Sequence, residues 1–328
     1  VPLILPEGSQ LSNRYQVVKI LDVSPLRNIY MVQDLHLRGN TWVAKQILPS
    51  GSDPIGSGNV RKRFEDEARI IGTLEHPSIP KLLDFFFKDR CFFIIREYVP
   101  GTDLGTLLAF QGGSLSESDA LRLTIPIAEL LGFLLRKNLG SAIFREISLG
   151  SFIVTPNGEL RLVDLGFTRL FGKANTIGAV DYAAPEQFSG AGMDSRTVVY
   201  NMGAMLYHVL GGFNPGESPF NLEPLDALAP QTSDATLKIV EKAMQRDPKS
   251  RYSSPEDMAK ALKKARTAVE KRKGAGKGSG KDVPADSDTQ PLEPSFSVTT
   301  WLLAAIILIF LGAGCYAAYE MVLKGSGG

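Results

Sequence analysis

The sequence predicts an α+β fold in two lobes with a cleft between them, followed by a linker and one membrane-spanning helix. Three observations carry this. Residues 11 to about 100 read mainly as short strands, and the stretch after Gly101 reads as helices. The last thirty residues contain an uncharged run unlike anything before it.

Composition bounds the reading. Of 328 residues, 44% are hydrophobic and 22% charged, which excludes a wholly disordered chain and a polytopic membrane protein. At roughly 150 residues per domain the length allows about two domains, or one bilobal unit with extras. The 36 basic and 35 acidic residues nearly cancel, so nucleic acid is not an expected partner. Cys91 and Cys315 lie far apart, and His36, His76 and His208 show no ligand spacing, which leaves no disulfide scaffold and no multi-cysteine zinc site.

The elements follow in order. Residues 15–21, 29–34 and 41–47 are β-rich runs separated by turn-forming residues. Residues 60–74 have helical spacing, with Phe64, Ala68, Ile71 and Leu74 on one face. Residues 91–98 form an almost wholly apolar strand. A long helix is predicted over 117–137, with Ser114, Ser116 and Ser118 each able to cap it, and Glu117 and Asp119 suited to its first turn. Residues 143–154 and 160–163 are strand-like and flank the turn signal Pro156-Asn157-Gly158. Helices are predicted over 198–210, 236–244 and 255–269; His208, on an apolar helix, reads as a satisfied core histidine, and His76 as a structural loop residue.

The ends differ from the body. No charge interrupts Trp301 to Tyr319. As a helix that run spans about 28 Å, close to a bilayer core, with aromatic rings at both ends. The start of the chain has no basic n-region and only a short apolar run, so no signal peptide is expected, and the arrangement is tail-anchored. Flanking charges leave orientation tied: Lys281 stands against Asp282, Asp286, Asp288 and Glu293, and the only basic residue beyond the span is Lys324. The basic stretch 260–281 has two readings, a surface that touches anionic lipid and a solvated helix face running into a linker, of which the second is favoured. The Gly314-x-x-x-Ala318 pattern gives the span a route to self-association.

Six short motifs occur in fixed order: Val43-Ala44-Lys45 at the end of a strand, Glu67 on the next helix, Glu97-Tyr98-Val99-Pro100-Gly101 after an apolar strand, Phe144-Arg145-Glu146 before a hairpin, Asp164-Leu165-Gly166 closing it, and Ala184-Pro185-Glu186 after that. Each is weak alone; together they resemble a protein kinase domain over roughly 11–265. The runs 210–215 and 246–252 look like the bacterial serine/threonine branch. The resemblance implies a bilobal protein-kinase-like fold, with a β-rich N-lobe over about 11–97 and a helical C-lobe over about 98–265. A linker over 266–297, a transmembrane helix over 298–319 and a tail over 320–328 complete the expected organisation.

The resemblance assigns roles residue by residue. Lys45 grips nucleotide phosphates and pairs with Glu67, Glu97 and Val99 belong to the hinge that meets the nucleotide, and Asp164 holds magnesium. ATP and Mg are the implied cofactors. Glu186 and Arg251 resemble a structural ion pair of the C-lobe.

Other positions depart from the pattern. Asp22, Ser24 and Arg27 stand where three glycines admit phosphates, and Pro25 removes a backbone donor. Glu146 takes the place of the base aspartate, Ser148 that of the loop lysine, and Ser151 that of the second metal ligand. Ala179 and Val198 replace a threonine and a bracing aspartate. Arg96 falls just before the hinge. Two readings stand there: a buried guanidinium paired with Glu67 and partly filling the nucleotide pocket, or a side chain turned to solvent. Phosphoryl transfer is almost wholly positioning and electrostatics, so the combined losses predict a membrane-anchored pseudokinase, a binding or scaffold module facing the cytoplasm. The alternative is an active divergent kinase using Glu146 as base.

Overall fold

The computed structural model describes residues 4–25, 27–37, 40–48, 58–137, 139, 147–164, 180–189, 192–219 and 221–276. The positions of Glu146 and Ala179, and the apolar run 301–319, lie outside the described residues. Among the described residues no helix is long and apolar enough to cross a membrane.

The N-lobe is an antiparallel six-stranded sheet built from β1 (Gln10–Leu11), β2 (Tyr15–Val23), β3 (Arg27–Asp34), β4 (Thr41–Ile47), β5 (Leu82–Lys88) and β6 (Cys91–Glu97). Their spatial order is β1-β2-β3-β4-β6-β5. Helix α1 (Gly58–Gly72) lies between β4 and β5 in sequence. Side chains alternate across a strand, and β6 is apolar on both faces. Phe92 and Ile94 join Phe64, Ala68 and Ile71 of α1 in the main core. Phe93 and Ile95 join Tyr15, Tyr30 and Val32 in a second cluster on the opposite face. A buried polar row runs through that second cluster: the Asn28 amide and the Tyr30 hydroxyl both donate to Gln46 Oε1, at 2.9 and 2.8 Å. Gln46 Nε2 lies 3.5 Å from Cys91 Sγ. Strand β2 is irregular. Its register against β3 shifts between Val17 and Lys19 and again between Ile20 and Asp22, which adds local twist before the hairpin tip.

The C-lobe begins with β7 (Thr102–Asp103) and α2 (Leu104–Phe110), and β7 pairs with β8 (Phe152–Val154), which pairs with β9 (Leu160–Leu162). Helix α3 (Glu117–Arg136) is capped by Ser116, whose hydroxyl accepts from Asp119 N, which selects one of the three candidate serines. Then come α4 (Pro185–Ser189), α5 (Ser195–Gly211), α6 (Leu225–Leu228), α7 (Asp234–Ala243) and α8 (Pro255–Gly276). Helices α3, α5 and α8 pack against one another around Leu121, Leu131, Met202, Leu206 and Leu262. Helix α5 starts from Asp194, which exchanges capping hydrogen bonds with Thr197, and stops at Gly212 in the left-handed region at φ 73°.

Two expectations need correction, and one element went unforeseen. Of the described part of 143–154, only 152–154 is a strand, because Leu149–Ser151 close a 3-10 turn. The linker expected from 266 begins later. Helix α8 continues past the expected end at 269 to Gly276, and Glu270 pairs back to Arg266 one turn earlier, at 3.4 Å. Strand β5 was not singled out by the sequence pattern.

Candidate active-site cleft

Asp164 lies two residues beyond β9, and each of its carboxylate oxygens meets a cation. The register of β4 sets Lys45 opposite Ile29 and Ile94, and its buried ammonium lies 2.6 Å from Asp164 Oδ1. From the β2–β3 hairpin, Arg27 Nη1 is bonded to Asp164 Oδ2, while its Nη2 is 3.5 Å from Asp22. The hairpin tip is closed by side-chain bonds in place of glycines: Ser24 Oγ donates to Arg27 O at 2.9 Å, and Ser24 N donates to the same oxygen at 2.9 Å. The structure thus brings Lys45 and Asp164 together as the sequence implied. It does not show the expected partner for Lys45: among the described residues no ion pair joins it to Glu67, which sits half-buried on α1. The ammonium is committed to the nearer carboxylate of Asp164.

Arg96 is turned inward, which removes the solvent-facing reading. It lines a cavity of about 30 Å³ together with Lys45, Ile71, Leu82, Ile94 and Asp164. Its pairing with Glu67 is also absent among the described residues; Nη1 donates instead to Glu97 O at 3.1 Å. Burial pulls the Arg96 guanidinium down to about 10; Asp164 and Glu97 work against that shift and Arg27 adds to it. Three cations therefore converge on one carboxylate.

The remaining predicted residues are structurally engaged. Glu97 Oε2 pairs with Arg161 Nη2 at 3.2 Å and accepts from Lys81 N at 3.3 Å, and Val99 is buried. Ser148 N donates to Ser151 Oγ at 3.2 Å, and the two hydroxyls lie 3.4 Å apart. Together they cap the 3-10 turn before β8. Val198 is buried in the α5 core. In the C-lobe, Arg251 grips Glu186 with both guanidinium arms. His208 Nδ1 lies 2.7 Å from the Tyr182 hydroxyl, and His76 Nδ1 accepts from Ser78 N. Sequence reasoning missed the Arg161–Glu97 pair altogether. It flagged Arg27 as an intruder at a glycine position, and that was the available signal for its role.

Magnesium requires a near-octahedral set of oxygen ligands. Here the two Asp164 oxygens face Lys45 and Arg27, and a serine stands where a second ligand is expected. This arrangement does not fit a divalent metal. A larger cavity of about 640 Å³ lies elsewhere, between α5, α6 and α7, lined by Tyr200, Tyr207, Leu225 and Val240; it holds none of these groups.

Comparison with known proteins agrees with this architecture. Residues 33–265 match the protein kinase domain family. The serine/threonine-protein kinase PrkC of Bacillus subtilis is 25% identical across 94% of this chain and 53% of its own length. The serine/threonine-protein kinase PknB of Mycobacterium tuberculosis is 25% identical across 76% of this chain and 42% of its own. The chain thus spans about half, or less, of the length of these relatives. The crystal structure of the Mycobacterium tuberculosis PknI kinase domain superposes with a TM-score of 0.66 at 23% identity, over 80% of this chain and 100% of that one. The two-lobed fold, the ordered motifs and the match over 33–265 place the chain in the protein kinase domain family, among relatives that are bacterial serine/threonine kinases.

Proposed function

We propose that this chain is a pseudokinase anchored in a membrane by residues 301–319, with its kinase-like domain on the cytoplasmic side and acting as a protein-binding or scaffold module. One observation carries the reading: Asp164, the carboxylate that would hold a metal, is neutralised by Lys45 and Arg27. The substitutions at Glu146, Ser148 and Ser151 support it, since the loss of several positioned groups at once leaves little of a reaction that depends on positioning. Fold-bearing groups such as Arg251, Glu186 and Val198 are packed and satisfied.

The test is incubation of the full chain with labelled ATP, Mg²⁺ or Mn²⁺ and generic protein substrates. No labelled product is expected. Labelling that Asp164→Ala abolishes would overturn the reading and favour catalysis with Glu146 as base. A reporter fused after Gly328 tests the orientation; a cytoplasmic domain requires the reporter on the opposite side of the membrane.

A further inference from the structure

We propose that Arg27, Lys45 and Arg96 form a metal-independent anion site, in which Arg27 takes the place of a divalent cation and the ligand is an oligophosphate. The inference rests on the pseudokinase reading and specifies what its cleft binds.

Charge favours an anion over a cation here. Arg27, Lys45 and Arg96 surround Asp164, and among the described residues Asp22 pairs with Arg27, from 3.5 Å and from a largely exposed position. A divalent cation entering this cluster meets three positive charges and a carboxylate already bonded on both oxygens. An anion entering it meets a surplus of positive charge. Arg96 points the same way. Its hydrogen bond to Glu97 O is to a neutral carbonyl, and the two carboxylates that act on it are already engaged, Asp164 by Lys45 and Arg27 and Glu97 by Arg161. A desolvated guanidinium without a full counter-charge is costly, so a ligand that brings negative charge relieves it.

Geometry permits the exchange. Arg27 sits at a hairpin tip with about a third of its side chain exposed, so it can exchange partners without disturbing the core. The cavity of about 30 Å³ accommodates a water or two, not a phosphate chain. Binding therefore proceeds by exchange: phosphate oxygens take Arg27 from Asp164, and the hairpin lifts. Guanidinium forks match phosphate in two-pronged fashion, and an ammonium serves as a point charge beside them. The phosphate chain can come from a nucleoside triphosphate or be free.

The experiment measures thermal unfolding of the full chain in detergent with ATP or inorganic tripolyphosphate, in EDTA and in Mg²⁺, against sulfate at matched ionic strength. In EDTA, ATP or tripolyphosphate is expected to raise the midpoint by about 3 °C or more, and Mg²⁺ is expected to add nothing. Equal shifts from both identify the phosphate chain as the recognised part; a shift from ATP alone identifies the nucleoside triphosphate. Arg27→Ala is expected to abolish the EDTA shift. Arg27→Lys, which keeps the charge and loses the fork, is expected to reduce it and serves if the alanine variant fails to fold. Binding that appears only with Mg²⁺, no shift from either ligand, a shift equalled by sulfate, or an Arg27 variant that binds as well as the parent would overturn the inference. Metal-dependent binding without transfer defeats this inference alone, whereas transfer of labelled phosphate defeats the pseudokinase reading.

Discussion

Arg251 and Glu186 form a two-pronged ion pair inside the C-lobe, with Nη1 2.6 Å from Oε1 and Nη2 2.9 Å from Oε2. The remaining guanidinium donors meet the carbonyl oxygens of Gln245, Arg196 and Arg246, and Thr197 donates to the same carboxylate at 2.9 Å. Burial alone would push the Glu186 carboxyl up, but the bonds from Arg251 and Thr197 hold it below its ordinary value. Removing either partner leaves a buried charge, so Arg251→Met or Glu186→Leu alone is expected to cost about 3–5 kcal/mol. Urea unfolding of each variant measures the loss.

Asp34 predicts an acid limit for the N-lobe. Its carboxylate accepts from Arg14 Nη2 at 2.9 Å and from the amides of His36 and Leu37 at 2.9 and 3.1 Å. Burial works upward on this carboxyl, and these bonds outweigh it, bringing its pKa to about 2. A depressed carboxylate stabilises the fold fully above its unfolded value, and that contribution is lost as pH falls through the folded one. Stability from Asp34 should therefore persist at pH 5 and decline from below pH 4 toward pH 2. A carboxyl-carbon NMR titration should place its midpoint near 2, and Arg14→Ala should move that midpoint upward.

Gly101 marks the junction of the lobes. Its φ is 143°, and a Cβ there would lie 2.3 Å from Val154 O and 2.7 Å from Ile153 Cγ2. Backbone cannot yield as a flexible side chain does, so Gly101→Ala should destabilise by at least the roughly 1–3 kcal/mol typical of overpacking. Gly112, at φ 82° with open space around it, provides the comparison. Alanine there meets only the left-handed backbone penalty, about 1–2 kcal/mol. Denaturant midpoints for the two variants should separate in that order.

Restoring individual catalytic-loop residues should not restore transfer. Ser148→Lys and Ser151→Asn undo two of the substitutions but leave Arg27 on Asp164. Both variants, alone or combined, should show no labelled product. Measurable turnover in the double variant with Arg27 intact would show that the Arg27 bridge is no obstacle.

Much of this fold can be read from the chain, because hydrophobic period and caps act locally. Strand β4, helix α3 and its acidic first turn fall where the pattern puts them. Strand β5 escaped for an identifiable reason. Its turn to β6 is Asp89-Arg90, both at positive φ (49° and 62°), and arginine gives no hint of a left-handed turn. The extra length of α8 escaped because residues 270–276 are charged, glycine or alanine and carry no apolar period, which resembles a linker. The site was partly visible. Motif order located Lys45 and Asp164, but Arg27 and Asp164 are 137 positions apart, and nothing local joins them. The inward turn of Arg96 likewise depends on its alignment with Val43 and Leu82 on the neighbouring strands.

The row of Asn28, Tyr30, Gln46 and Cys91 beneath the N-lobe sheet bears on all of this. Sliding β3 against β4 by one position would exchange its faces, carrying the Asn28 amide and the Tyr30 phenol away from Gln46 to the half-exposed face and swinging the adjacent guanidinium away from the interlobe gap. These polar side chains act as an alignment key: they admit one seating of the hairpin, and that seating delivers Arg27 to its aspartate.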